Sequence, residues 1–399
     1  MPLLANRMSR AKPSAIMMIA EKAKKLKQEG KDVISFSVGV PNFLPAPHVY
    51  QAAEEALNHD SGQYLAGRGE DILIDAYLKR LHENGFEGYQ KSNIATGIGA
   101  KHLLFSLLYA LLNEGDEILI PTPYWTTYQD IADLMGAKTK QLKCSSEQHY
   151  KLTPQQLQQS ISAESRVLLF NNPSNPTGMV YSENEVKALG DVLENHDIWI
   201  VSDDIYNRMI FDGIGFHHLL KTNPNLRDRI IMIDSISKSY GMPGWRVGMM
   251  AAPESVAGAM VTLNSNSITN IPGVVGAAAA AAIAGPQDFA DEMCVEFAKK
   301  RDEVMATMAQ IEAVNCPTPQ GAFYAFPDIS SVYGKTYQGQ LIQNDVDFCE
   351  KLLESKGLAV VPGSAFGEPK AIRISYACKP DVLTDGLSRF KQFFDELNG

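Results

Sequence analysis

Between residues 90 and 285, short and almost wholly apolar runs alternate with amphipathic stretches, and no other feature restricts the fold of this 399-residue chain as strongly. The apolar runs lie at 117–121, 166–170, 198–203, 230–234 and 247–252, and the stretches at 101–112, 124–135 and 183–195 carry apolar residues at helical spacing. A strand that is apolar on both sides must be covered on both sides, and helices between such strands supply the cover. The expectation is an α/β fold with a mainly parallel sheet flanked by helices. Before residue 45 and after about 290 the pattern turns to longer helices, with short strand candidates at 357–361 and 371–376. The two chain ends, 1–44 and 289–399, are therefore expected to form one smaller α/β domain packed on a large domain at 45–288.

In open parallel sheets, ligands sit beyond the carboxyl ends of the strands, so chemistry is sought just after each apolar run. Lys238 follows the run at 230–234, inside Ser235-Ile-Ser-Lys-Ser-Tyr-Gly-Met-Pro-Gly-Trp-Arg246. A lone lysine is commonly a solvated surface residue. Between an apolar strand and a Gly/Pro-rich turn, however, a desolvated amine is held near neutral pKa and forms imines with carbonyls. Arg246 offers a fork of donors suited to phosphate, or to a structural ion pair. Asp203 ends the run at 198–203. A carboxylate there is either a helix cap or the partner of a buried cation, with Tyr206 three residues on. Asn175, in Asn-Pro-Ser-Asn-Pro-Thr-Gly, belongs to a turn that could equally reach a ligand. Gly99, Ala100 and Lys101 open a helix, where free N–H groups can cradle phosphate, although a glycine turn before a helix is common. Trp125 suits either the core or stacking on an aromatic group. Arg373, in Ala-Ile-Arg-Ile-Ser-Tyr, sits inside an apolar strand and needs an anionic partner from protein or substrate. His217-His218 lies in a polar loop without companion ligands and is expected to be solvated.

Composition narrows the function classes. With 46 acidic against 36 basic residues the formal charge is −10, and no block of like charge suggests a nucleic-acid or membrane-surface partner. Lys22, Lys24, Lys25 and Lys27 fit the wet side of a helix whose apolar positions include Ile16, Ile19, Ala23 and Leu26. Five cysteines without CxxC spacing support neither a disulfide framework nor a metal site and fit a reducing, cytoplasmic setting. The N-terminus carries no apolar run of signal-peptide length. The most apolar stretch, 274–285, is too short to span a membrane and is expected to be a buried Ala-rich helix.

Taken together, these residues resemble the fold-type-I, class I/II aminotransferases, and most closely the prokaryotic aspartate aminotransferases. The resemblance runs from Val38-Gly39-Val-Pro41 to Arg373. It passes in order through Asn-Pro-Ser-Asn-Pro-Thr-Gly, Ser-Asp-Asp-x-Tyr, the Ser-x-Ser-Lys segment with Gly-Trp-Arg, Gly-Ala-Phe-Tyr at 321–324, Pro-Gly-Ser-Ala-Phe-Gly at 362–367 and Ile-Arg-Ile-Ser. It implies pyridoxal 5'-phosphate held as an imine on Lys238, which also moves the proton. Asp203 would pair with the pyridine nitrogen, Tyr206 and Asn175 with the phenolic oxygen, and Gly99, Ala100, Lys101, Ser235 and Arg246 would surround the phosphate. Trp125 would stack on the ring, and Arg373 beside Gly39 would hold the α-carboxylate. The resemblance also implies a homodimer in which Tyr64, and with it Thr269, reaches the partner's phosphate. Lys101 matches a lysine that recognises the distal carboxylate of aspartate or glutamate, so a dicarboxylic donor with 2-oxoglutarate is favoured. The chain departs from that branch at Ala100 (glycine there), Ile16 (threonine) and Ile74 (arginine). An aromatic or broad-range aminotransferase, or a lyase of the same fold, is the alternative.

Overall fold

The structure is a computed structural model that describes residues 3–59 and 62–397. Its centre is a seven-stranded sheet. Across it run the strands Ile94–Gly97, Gly248–Ala251, Ile230–Ser235, Trp199–Asp203, Ser165–Asn171, Glu117–Thr122 and Lys138–Lys143. Neighbours from Ile230–Ser235 to Lys138–Lys143 pair in parallel, as the alternating pattern requires. Gly248–Ala251 alone runs against both of its neighbours. Only a one-turn helix, Ile236–Ser239, and a 3-10 turn, Pro243–Trp245, separate it from Ile230–Ser235. That connection holds no helix long enough to cross over and cover the sheet, and the chain reverses there. The same cramped reversal carries Lys238 and Arg246.

Alternate residues of each strand feed different cores, as the two-residue repeat of a strand dictates. Val167, Leu169, Ile231 and Ile233 join one buried cluster, while Leu168, Phe170, Ile230 and Met232 join the other. The first cluster continues into Phe297, Phe323, Phe348 and Phe390, outside the large sheet. The Ala-rich helix Gly273–Ala284 packs against Pro47–His59 and Asp71–Glu83 with Ala278, Ala279 and Ala282 buried, as expected of that stretch. Ile74 on Asp71–Glu83 is buried as well.

The chain ends meet directly. Ile34–Ser35 pairs in parallel with Leu358–Ala359. Ile372–Ser375 lies between Val361–Pro362 and Tyr324–Ala325 in an antiparallel sheet. Among the described residues no helix is long and apolar enough to cross a membrane, and no group of His, Cys, Asp or Glu is arranged to hold a metal ion.

One sequence expectation fails outright. His218 is not solvated: it is only 2% exposed and packs edge-on against Phe86. Its Nδ1 accepts the backbone N–H of Leu220, capping a helical turn, and its Nε2 lies 3.2 Å from Asp204 Oδ2. An aspartate on the hidden face of the neighbouring strand end draws the ring inward, and a sequence pattern of loop residues cannot reveal that.

Candidate active site

The reversal after Ile230–Ser235 builds the centre of the site. Ser235 Oγ caps the one-turn helix by accepting the Ser237 N–H at 3.1 Å, and lies 2.8 Å from the Val247 carbonyl. Lys238 sits on that turn with its Nζ donating to the Gly39 carbonyl at 2.6 Å. Burial, with Arg373 and Arg246 nearby, lowers its pKa to about 7. Arg246 follows the 3-10 turn at φ 58, a left-handed conformation that is costly for a residue with a side chain. Its guanidinium donates to the carbonyls of Pro243 and Ile98. A Cβ on Gly99 would lie 2.3 Å from Arg246 Nη2, and Gly99 has φ 89, so only glycine allows this approach. Ala100 and Lys101 then begin the helix Ala100–Leu111, whose open N–H groups and dipole favour an anion beside Arg246.

Asp203 ends the strand Trp199–Asp203 and no helix follows it, which removes the helix-cap reading. It is fully buried. Oδ2 accepts the Tyr128 hydroxyl at 2.5 Å, whereas the buried Oδ1 has no hydrogen-bond partner among the described residues. Burial pushes its pKa up to about 7, against the pull of the Tyr128 hydrogen bond. Such a carboxyl asks for a cation at Oδ1. Arg373 presents the complementary case. It is 2% exposed and makes no ion pair among the described residues. Nη1 donates to Asn175 Oδ1 at 3.0 Å and Nη2 to the Ser37 carbonyl at 2.6 Å, while Nε is unpartnered. The rings of Tyr324 and Phe366 flank it at 4.6 and 4.8 Å.

These groups share one cavity of about 410 Å³, lined by Gly39, Ala100, Lys101, Trp125, Asn175, Asp203, Tyr206, Ser235, Lys238, Arg246 and Arg373. Trp125 is half-buried, so it is wall rather than core, and the Lys101 ammonium rests 4.9 Å from its ring centroid. Ile16 and Met17 form part of the same wall. Tyr64 and Thr269 are absent from the lining, and Tyr64 is 93% exposed. Two larger hollows, of about 580 and 660 Å³, lie elsewhere and contain none of these residues. Two participants had no role in the sequence reading, although Tyr324 lies in the Gly-Ala-Phe-Tyr segment at 321–324. Tyr128, which holds Asp203, falls three residues after Trp125, and that spacing was the available clue. Tyr324 bonds Tyr206 across 118 residues of chain, a contact with no local signal.

The sequence matches the family described as aminotransferase class I and II over residues 31–390. The chain belongs to that family. It is 38% identical to an aspartate/prephenate aminotransferase of Cereibacter sphaeroides over 98% of this chain and 99% of that one. It is 36% identical to an aspartate aminotransferase of Geobacillus stearothermophilus over 98% and 99%. Among solved structures, it resembles the aspartate aminotransferase of Rhizobium meliloti with TM-score 0.97 and 36% identity over the whole of both chains. The Thermus thermophilus aspartate aminotransferase with maleate superposes with TM-score 0.91 at 27% identity, over 98% of this chain and 100% of that one. The α/β fold with its mainly parallel sheet is thus the fold of class I and II aminotransferases. Pyridoxal phosphate is the cofactor implied for this family, and the residues present suit it. A lowered lysine amine, a buried carboxyl with one open oxygen and a glycine-permitted arginine at a helix N-terminus match its aldehyde, ring nitrogen and phosphate.

Proposed function

We propose that this aminotransferase moves the amino group of aspartate or glutamate to a 2-oxo acid such as 2-oxoglutarate, using pyridoxal phosphate on Lys238, as a cytoplasmic homodimer with shared sites. The observation that carries the reading is Arg373: a buried guanidinium with an unpartnered Nε and no acid of its own, in the cavity that holds Lys238 and Asp203. A buried charge of that kind is kept for an anion that comes and goes. When bound, pyridoxal phosphate supplies the electron sink for negative charge left on the substrate α-carbon.

The chain supplies the remainder. Arg373 and Asn175, beside Gly39, receive the α-carboxylate and so set the orientation of the α-carbon. The Lys238 amine, whose pKa burial lowers to about 7, would take the α-proton. Asp203 would hold a proton on the ring nitrogen, with Tyr128 fixing the carboxylate from behind. Tyr206 and Asn175 serve the phenolic oxygen, while Gly99, Ala100, Ser235 and Arg246 form the phosphate end and Trp125 the stacking wall. Lys101, which makes no ion pair among the described residues and whose pKa is lowered by burial, stands where a distal carboxylate can pair with it. The relative solved with maleate, a dicarboxylate, supports this substrate class. Ile16 on the cavity wall favours a second reading, a broad-range enzyme that also accepts apolar side chains.

Several features support the assembly and organisation. The Gly67 carbonyl accepts from Asn264 and Asn270, tying the Tyr64 loop to the loop of Thr269. Thr269 has φ 62, strained for a β-branched residue. Phe105 and Tyr109, one turn apart on Ala100–Leu111, are exposed, as a second copy of the chain would require. The pairing of Ile34–Ser35 with Leu358–Ala359 supports the division into 45–288 and a small domain from both ends. Five unpaired cysteines support the cytoplasm. The deciding experiment mixes cofactor-loaded protein with single amino acids and follows the cofactor's absorbance. Conversion to the pyridoxamine form by aspartate or glutamate without any acceptor is expected. Elimination products in place of that conversion would mark a lyase, and equal conversion by phenylalanine would mark the broad-range reading.

A further inference from the structure

Tyr324 meets three parts of the site and has no role so far. It is 2% exposed. Its hydroxyl lies 2.9 Å from that of Tyr206, and its ring lies 4.6 Å from the Arg373 guanidinium. It also props the segment that carries Gly39: a Cβ at Gly39 would come within 1.9 Å of the Tyr324 hydroxyl. One side chain therefore touches the carboxylate clamp, the strap that accepts from Lys238, and Tyr206.

Two hydroxyls in mutual contact have two protons, and one of them lies in the bond between the pair. The other must point elsewhere. Among the described residues neither hydroxyl has a second hydrogen-bond partner. If Tyr206 serves an anionic phenolic oxygen, as proposed above, its proton points at that oxygen, because a charge-assisted bond outweighs a neutral one. Tyr324 must then donate to Tyr206. A donor that itself accepts a hydrogen bond is polarised and becomes a stronger donor, more so in a dry interior. Burial raises the Tyr324 pKa, and the Arg373 cation against its ring works against that rise, in the sense that favours donation.

We propose that Tyr324 is a positioning residue that, by donating to Tyr206, strengthens the hydrogen bond Tyr206 gives to the cofactor's phenolic oxygen and so lowers the proton affinity of the bound cofactor. This rests on the pyridoxal-phosphate reading, and the test separates the two. The holoenzyme and its Tyr324→Phe variant are titrated with pH while the absorbance of the bound cofactor is followed, with no substrate and no turnover involved. Phenylalanine keeps the ring against Arg373 and Gly39 and removes only the hydroxyl. The midpoint is expected to rise by roughly half a unit to one unit, the size of one modest hydrogen bond. A midpoint that stays or falls overturns the inference. Tyr206→Phe should raise the midpoint further, and adding Tyr324→Phe to it should change nothing more, since the pair acts as one chain. A further shift in the double variant also overturns it, because Tyr324 would then act on its own. The pyridoxal-phosphate reading fails separately, if wild-type protein shows no pH-dependent cofactor band or if Lys238→Ala shows the same one.

Discussion

Asp203 and Asp204 are neighbours at the end of one strand, yet they face opposite sides of the sheet and meet opposite circumstances. On the cavity side, Asp203 has one oxygen bonded to Tyr128 and one left open. On the far side, Asp204 accepts the Ser202 hydroxyl at 2.7 Å and lies 3.2 Å from His218 Nε2. The His218 Nδ1 accepts from Leu220, so the ring's proton sits on Nε2 and faces Asp204. Both carboxyls are buried, and burial alone distinguishes nothing. What differs is the company: on the far side Asp204 is met by Ser202 and His218 of the chain itself, while on the cavity side Asp203 keeps an oxygen for something else to fill. A closed network holds the fold, and an open one costs stability that function requires.

The sharpest break in that comparison is chemical. Lys238→Ala should reduce turnover to background, because both the imine and the mobile proton reside on that amine. Near-normal turnover by the variant, measured without added amine, would sink the assignment. Next, Asp203→Asn should lower kcat/KM by a hundredfold or more, a loss of at least about 2.7 kcal/mol of transition-state stabilisation. Asp204→Asn should cost less than about tenfold. Stability should follow the reverse order. Disturbing the bonds of Asp204 should destabilise by about 1–3 kcal/mol. Asp203→Asn should instead stabilise the cofactor-free protein near neutral pH, by up to about 4 kcal/mol.

The sign follows from linkage. Burial raises the folded pKa of Asp203 from 3.8 to about 7, so between those values the folded protein keeps a proton that the unfolded chain gives up. Stability is therefore lost as pH rises across that window, and the loss is complete above about 7. The variant's advantage in melting temperature should be present at pH 8 and absent near pH 4. An equal advantage at both would show that Asp203 carries no desolvation cost.

How much of this was legible beforehand follows the same division. The apolar interior strands announced themselves, since burial on both faces leaves only apolar residues. The edge strands did not. Lys138–Lys143 reads Lys-Thr-Lys-Gln-Leu-Lys, and Ile94–Gly97 is four residues of no pronounced pattern. Lys138–Lys143 is an edge with one exposed face protected by charge, so its composition resembles a loop, while Ile94–Gly97 is buried throughout but too short to show a pattern. The reversed direction of Gly248–Ala251 was hidden for another reason: it goes with a connection that lacks a full crossover helix, whereas strand composition says nothing about direction. At the site, Lys238, Asp203, Arg246 and Arg373 stood out because each is a charge beside an apolar run. Tyr128, Tyr324 and His218 did not, because an aromatic residue in a buried position needs no special explanation until its polar atom is seen to have a partner.

A smaller effect sharpens the account of the open side. Lys101→Ala should lower kcat/KM for aspartate and glutamate by roughly tenfold to a hundredfold, as expected when a partly buried carboxylate loses its cation. Alanine as donor should be almost unaffected. Equal losses for alanine and aspartate would assign Lys101 to the phosphate or to the packing of Trp125, over which it already rests.

The smallest signal comes from the outermost residue, Tyr64. It is the one proposed site residue that is almost wholly exposed, and it lies outside the cavity. If it completes the site of a second copy, its exposure is the open valence of the comparison carried to the surface. Inactive Lys238→Ala protein is mixed in equal amount with impaired Tyr64→Ala protein, dissociated and reassociated. Half of the resulting dimers are hybrids. In a two-fold dimer with Tyr64 acting across the interface, each hybrid has one site with a native lysine and a native tyrosine and one site lacking both. Activity should then climb towards about a quarter of wild type, above either parent. If Tyr64 acts within its own chain, every hybrid site lacks one of the two, and the mixture shows no more than the average of its parents. That result would remove the shared site while leaving the chemistry at Lys238 and Asp203 intact.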